Sequence, residues 1–163
     1  MMTIEDLLSP RVARFIDRVP DWDAFADARI EGYRRAQHRF IGAGASGKQD
    51  ARVIPPEHFT LSIVFVPPGQ GNAAHTHEVE EVFFILDGKV QVFFEDDQGR
   101  RAATVLGRWD CVSCPAGVIH GYENVGLEPA YLQVMLGKAR PDLMGYVDPG
   151  LQKQRDVHLK AGA

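Results

Sequence analysis

Gly69-Gln-Gly-Asn-Ala-Ala-His75-Thr-His77-Glu-Val-Glu-Glu81-Val-Phe-Phe-Ile-Leu86-Asp87-Gly88 is the stretch that decides the fold. Its second half, Glu81 to Leu86, is rich in β-branched and aromatic residues and stops at Asp87-Gly88, a hairpin signal. His75 and His77 stand two apart just upstream, and positions i and i+2 of a strand point to the same face. A third histidine lies in Pro115-Ala-Gly117-Val-Ile-His120-Gly-Tyr-Glu-Asn124. Two imidazoles side by side, the Glu81 carboxylate and His120 on a later strand can close around one metal ion. Glu78 and Glu80 are set aside as ligands, because alternation with Glu81 turns Glu80 toward the rim.

The strand pattern extends both ways. Upstream, Phe59 to Val66 is β-rich and ends at Pro67-Pro68-Gly69. Downstream come Lys89 to Glu95, the turn Asp96 to Gly99, and Arg101 to Leu106. Short strands follow over Cys111 to Cys114, Val118 to Tyr122 and Ala130 to Leu136. Many strands with almost no helix between them predict an all-β antiparallel sandwich or barrel.

The first forty residues read as helical. Thr3 is placed to cap a short helix, with Glu5 and Asp6 in its first turn, where the helix dipole favours acids. Trp22, Phe25 and Ala26 follow Pro20-Asp21 at helical spacing. Residues 1–55 are therefore read as a helical arm and a glycine-rich loop, part of the same domain as a barrel over 56–137. A polar tail, 138–163, is broken by Pro141 and Pro149. The loop Gly42 to Asp50 matches the spacing of a nucleotide phosphate loop. That reading is rejected, because Gln49 stands where Ser or Thr should bind magnesium and Ile54-Pro55-Pro56 forbids the helix that must follow.

The 163 residues bury enough surface for one core. A net charge of −4 does not support an electrostatic grip on nucleic acid or an anionic membrane. No apolar run approaches a membrane helix, and the N-terminus lacks a secretory pattern. Two cysteines without an export signal predict a cytoplasmic protein with free thiols.

The fixed positions of the two histidine segments resemble the cupin superfamily. Gly69, His75, His77, Glu81 and Gly88 fit its first motif throughout. Pro115, Gly117, His120 and Asn124 fit the second, whose leading glycine is replaced here by Trp109. The resemblance implies a cupin jelly-roll β-barrel, often a homodimer. It also implies one divalent transition-metal ion, manganese or iron with nickel or zinc as alternatives, held by His75, His77, Glu81 and His120. Four protein ligands leave positions open on a six-coordinate ion, which points to catalysis on a small-molecule substrate.

Cys111 and Cys114 directly precede the second motif. Residues three apart on a strand face opposite ways, so no disulfide joins them and one thiol faces inward. Free cysteines are usually small apolar core residues. The functional alternative is a nucleophilic thiolate beside the metal, with Cys114 as the candidate catalytic residue. On that reading the chain resembles the bacterial cupin that acts on methylthioxylulose 5-phosphate, a methylsulfurylase. Its partners would be a sugar phosphate and a low-molecular-weight thiol such as glutathione. An Fe(II) dioxygenase, a sugar-phosphate isomerase and a non-enzymatic ligand-binding cupin are the alternatives. Tyr122, Glu123 and Trp109 are candidates to line the pocket. Arg34, Arg35, Lys48 and Arg52 could bind a phosphate if the arm folds over the barrel mouth. His38, His58 and His158 are read as structural or solvated.

Overall fold

The computed structural model describes residues 1–48 and 50–161, and the side chains of the described residues up to 157. Gln49 of the glycine-rich loop, residues 162 and 163, and the His158 side chain lie outside the described set. Among the described residues, the strands in chain order are β1 (Ala36–Ile41), β2 (Thr60–Val66), β3 (His75–Thr76), β4 (Glu81–Asp87) and β5 (Val90–Glu95). They continue with β6 (Arg101–Leu106), β7 (Cys111–Cys114), β8 (Ile119–Asn124), β9 (Ala130–Leu136) and β10 (Gly145–Tyr146). Two five-stranded antiparallel sheets result, ordered β1-β2-β9-β4-β7 and β10-β3-β8-β5-β6. Apart from the paired neighbours β1–β2 and β5–β6, consecutive strands are separated, as in a jelly roll. The expectation of an all-β barrel is met.

Alternation decides which residues enter the barrel. β2 and β4 are buried at every second residue, so Thr60, Ser62, Val64 and Val66 point into the interior from the same sheet as Glu81, Phe83 and Ile85. One end of the barrel is filled by an apolar cluster of Val64, Val66, Phe83, Ile85, Val90, Val92 and Leu132, closed by Cys114 and Tyr122. The other end carries polar side chains. Gly88 makes the β4–β5 hairpin at φ +95°, and a side chain there would collide with Ala130. Asn124 ties three chain segments together: its amide donates to the Val66 and Glu128 carbonyls, and its side-chain oxygen accepts from the Gly126 amide.

The arm agrees with the sequence in part. Helix α1 (Ile4–Leu8) is capped by Thr3, whose hydroxyl accepts from the Asp6 amide while the Asp6 carboxylate accepts from the Thr3 amide. Three short 3-10 turns follow. Continuous helix through residue 40 is corrected: Ala36–Ile41 is strand β1, paired with β2. The edge of β2 offers backbone partners that this segment takes up in place of its own helical hydrogen bonds. The tail differs too. Pro149 does not break helix but opens one, α2 (Pro149–Ala161), at the first-turn position where its missing N–H costs nothing.

Trp109, the departure from the second motif, adopts φ +73°. This is a left-handed backbone, which ordinarily favours glycine. Its amide donates to the Ile85 carbonyl at 2.8 Å, so pairing with β4 holds the turn. The ring is exposed, against Phe84 and the Arg108 guanidinium.

Candidate metal centre

The two sheets bring the four expected ligands together. His75 of β3 pairs directly with His120 of β8 in one sheet. Glu81, at the start of β4, projects from the other. His77 follows β3, its carbonyl held by the Gly117 amide at 2.9 Å. All four side chains are buried, and their ligand atoms lie within 4.8 Å of one another. Glu81 Oε2 is the focus: Nε2 of His120, His77 and His75 stand 2.8, 3.2 and 3.4 Å from it. Glu78 and Glu80 stay outside, Glu78 bonded to Lys138 and Glu80 to the Ser113 hydroxyl.

The hydrogen bonds behind the rings test whether this group suits a metal. His75 Nδ1 is 2.8 Å from the Ala73 carbonyl, and His120 Nδ1 is 2.8 Å from the Val118 carbonyl. A carbonyl only accepts, so both Nδ1 atoms carry the proton and both Nε2 atoms face inward. Burial pushes the His75 imidazole below its ordinary value, against the raising effect of Glu81, which favours the neutral ring. Neutral rings in this tautomer aim lone pairs at a carboxylate, an arrangement that a cation between them relieves. His77 points the same way: both its ring nitrogens are buried without a hydrogen bond, and its contact to Glu81 is too poorly aligned to count as one. Burial alone would raise the Glu81 carboxyl, but the three imidazoles around it, His77 first, hold it well below the carboxylate range. Three imidazoles and one carboxylate suit a divalent transition ion, so the residues present fit such an ion.

Behind the ligands lies a support that sequence reading missed. Asp27 is fully buried and accepts from the Ala73 amide at 2.9 Å, from the Tyr146 hydroxyl at 2.8 Å and from the Arg35 guanidinium at 2.8 Å. An aspartate in a short turn of the arm carries no local signal of this.

Arg35 is one of the four candidates for a substrate phosphate. Its guanidinium is instead committed to Asp27 and to the Tyr33 and Gly71 carbonyls, over the Phe25 ring. Lys48 is paired with Asp21, and Arg52 with Asp50. Arg34 is exposed. These four do not assemble a phosphate site. Of the pocket candidates, Tyr122 faces the interior, while Glu123 and Trp109 are exposed.

Cys114 faces inward and lies directly opposite Glu81 across β4 and β7, while Cys111 is exposed. The orientation rule for the two thiols therefore holds. Cys114 belongs to the apolar cluster, and burial followed by the Glu81 charge pushes its thiol up.

A small chamber of about 20 Å³, room for about one water, lies beside the centre. His75, Glu81, Phe83 and Tyr122 line it with Gln37, Thr60, Ser62 and the Gly44-Ala45 turn.

Comparison with known proteins agrees with this geometry. Residues 62–136 match the family model described as the cupin domain. The chain is 31% identical over 72 residues to a germin-like protein, subfamily 2 member 5, of Arabidopsis thaliana, covering 44% of this chain and 34% of that protein. The chain thus spans about a third of the length of that curated relative. Among solved structures, the polyketide cyclase RemF of Streptomyces resistomycificus superposes with a TM-score of 0.64 at 17% identity, covering 87% of this chain and 89% of that one. Bacillus subtilis oxalate decarboxylase, described for its Mn(II) centres, gives 0.57 at 18% identity, covering 72% of this chain and 29% of that one. The barrel is a cupin jelly roll, and the matches support the cupin superfamily. Among the described residues, no helix is long and apolar enough to cross a membrane.

Proposed function

We propose that the protein is a metal-dependent cupin enzyme that acts on a small organic substrate, with manganese as its resident ion. The observation that carries the reading is the convergence of three buried Nε2 atoms on Glu81 Oε2 at the wall of a small chamber. His75, His77, Glu81 and His120 would hold the ion. When bound, it supplies a Lewis acid with coordination positions left for substrate oxygens. The protein's own residues do the rest. The Ala73 and Val118 carbonyls fix two of the rings. Phe83, Val134 and Leu136 line the chamber with apolar surface that limits water. Manganese is favoured by the mixed nitrogen and oxygen donor set and by the Mn(II) centres described for the oxalate decarboxylase.

A second reading, thiol-dependent methylthio transfer, is favoured by one observation, the position of Cys114 opposite Glu81. There the Cys114 thiolate would attack the substrate's methylthio sulfur. The electron pair of the broken carbon–sulfur bond passes to the substrate carbon, leaving a methyl disulfide on Cys114. A thiol such as glutathione then takes up the methylthio group by exchange, and the Cys114 thiolate is restored. The raised thiol and its place in the apolar cluster weigh against it.

The test is metal analysis of the purified protein, then turnover assays on small carboxylic acids, sugar phosphates and thioethers, with and without O₂. Turnover lost with chelators and in Glu81→Gln supports the metal reading. Oxygen uptake would identify a dioxygenase. A purified protein that takes up no transition ion defeats the proposal.

A further inference from the structure

The two sheets differ on their outer faces. In the β10-β3-β8-β5-β6 sheet, outward positions include Glu95, Arg101 and Glu123, the charged surface expected where a sheet meets water. The three central strands of the other sheet have no such residues. Pairing sets Leu61, Met135 and Val82 side by side in one outward row, and Ile63, Gln133 and Phe84 in the next. Phe65 and Tyr131 make a third row, their ring centroids 5.2 Å apart. All eight side chains are partly exposed. No charged side chain points outward from β2, from β9, or from β4 between Val82 and Leu86.

The arm borders this face rather than burying it. Trp22 packs on Phe65 and Phe15 on His38 of β1, with ring centroids 5.9 and 5.0 Å apart. Val12, Ile16 and Val19, from the same stretch of arm, stay exposed. Strand spacing and rise make the face roughly 20 Å by 20 Å, on the order of 400 Å², a size of apolar patch that marks an interaction site. The exposed arm residues extend it toward the roughly 800 Å² that each partner of a stable complex buries.

Gln133 selects the occupant. β9 is the middle strand of its sheet, and Gln133 is the middle residue of β9. Among the described residues its amide donates only to the Met135 sulfur, at 3.5 Å. A carboxamide both donates and accepts, so the same group from a second copy, turned about a twofold axis at this point, satisfies it in both directions. A charge-free face also sets no charge against its own copy. A charged partner would instead be desolvated there with no opposite charge to meet.

We propose that a second copy of this chain docks on the outer face of the β1-β2-β9-β4-β7 sheet, about a twofold axis at Gln133. Such docking gives a surface and an axis to the homodimer that the resemblance implies, and it does not depend on the metal reading. Leu61, Ile63, Phe84 and Met135 form the dry centre around Gln133. Cys111 and Ser113, on the edge strand β7, lie at the rim and stay within reach of solvent.

Sedimentation velocity and light scattering on the full chain, over a wide range of protein concentration, compare wild type with Gln133→Glu, Met135→Glu and Gln91→Glu. Gln91 is an outward glutamine of the opposite sheet. A circular dichroism spectrum and a thermal midpoint are recorded for each. Wild type is expected to be a dimer whose midpoint rises with protein concentration. Gln133→Glu keeps the shape of the side chain and sets two carboxylates against each other at the axis. It is expected to weaken the dimer about a hundredfold or more, the scale of an uncompensated buried charge, and to leave a folded monomer. Met135→Glu should do the same from the neighbouring row, and Gln91→Glu should leave the dimer unchanged. A wild type that is monomeric at every concentration would overturn the proposal and leave the face to a different protein. So would a dimer that survives both Gln133→Glu and Met135→Glu, or one that Gln91→Glu weakens as much. Loss of the fold in both outward variants would show that the face serves the single chain, and would overturn it equally.

Discussion

Asp27 and His75 are joined through a single residue. The Ala73 amide donates to the Asp27 carboxylate at 2.9 Å, and the Ala73 carbonyl lies 2.8 Å from His75 Nδ1. A residue in the arm thereby orients the His75 ring on β3, one of the four candidate ligands. Asp27 also neutralises the buried Arg35.

Asp27→Ala is expected to cost about 3–5 kcal/mol, because it strands a buried guanidinium and unties the Ala73 peptide. Metal affinity should fall about 10–100-fold, the usual effect of losing a group that orients a ligand. Urea unfolding and Mn(II) titration check both. Unchanged affinity in a folded variant would mean that Ala73 is held in place without Asp27.

The same pair sets an acid response. Burial raises the Asp27 carboxyl, but the charge and hydrogen bonds of Arg35, with the Ala73 and Tyr146 bonds, hold it below its ordinary 3.8. The unfolded chain therefore takes up this proton first as pH falls. Its contribution to stability is present in full above the ordinary carboxylate value and is lost as pH drops through the depressed one. Urea midpoints of the metal-free protein should show wild type losing its advantage over Asp27→Asn as pH falls below the ordinary carboxylate value of 3.8. A constant gap between the two across that range would contradict the linkage.

Loading the centre should raise stability in proportion to ion excess, by about 2.7 kcal/mol at one hundred times the dissociation constant. His75→Ala, His120→Ala and Glu81→Gln should remove most of that gain, and chelation should reverse it in wild type. Thermal scans with and without Mn(II) give the answer. Equal shifts in wild type and in all three variants would place the ion elsewhere.

Trp109 holds a left-handed backbone, which costs an ordinary side chain about 1–2 kcal/mol. Trp109→Gly relieves that strain and loses only exposed contacts with Phe84 and Arg108. The variant is expected to be at least as stable as wild type, with unchanged metal content. A clear drop in its urea midpoint would show that the ring contacts outweigh the strain.

The two thiols should separate under a thiol reagent. Cys111 is exposed and reacts in the native protein. Cys114 is buried beside Glu81, its thiol pushed up, and reacts only on unfolding. Rapid native labelling of Cys114 would revive the thiol-transfer reading. Full turnover in Cys114→Ser would end it.

Local pattern in the chain was enough for the barrel and the metal quartet. Strand alternation, the Asp87-Gly88 hairpin and the Thr3 cap depend on neighbours within a few residues, and histidines two apart on a strand share a face wherever it lies. What pairs across long separations was not legible. Ala36–Ile41 is a strand because the edge of β2 accepts it, and Pro149 opens a helix because the preceding chain turns there. Asp27 meets Ala73, and His75 meets Glu81, only once two sheets have closed around one interior. Side-chain chemistry and spacing travel with the chain, whereas burial and the charge-free outer face of a sheet are properties of the folded whole.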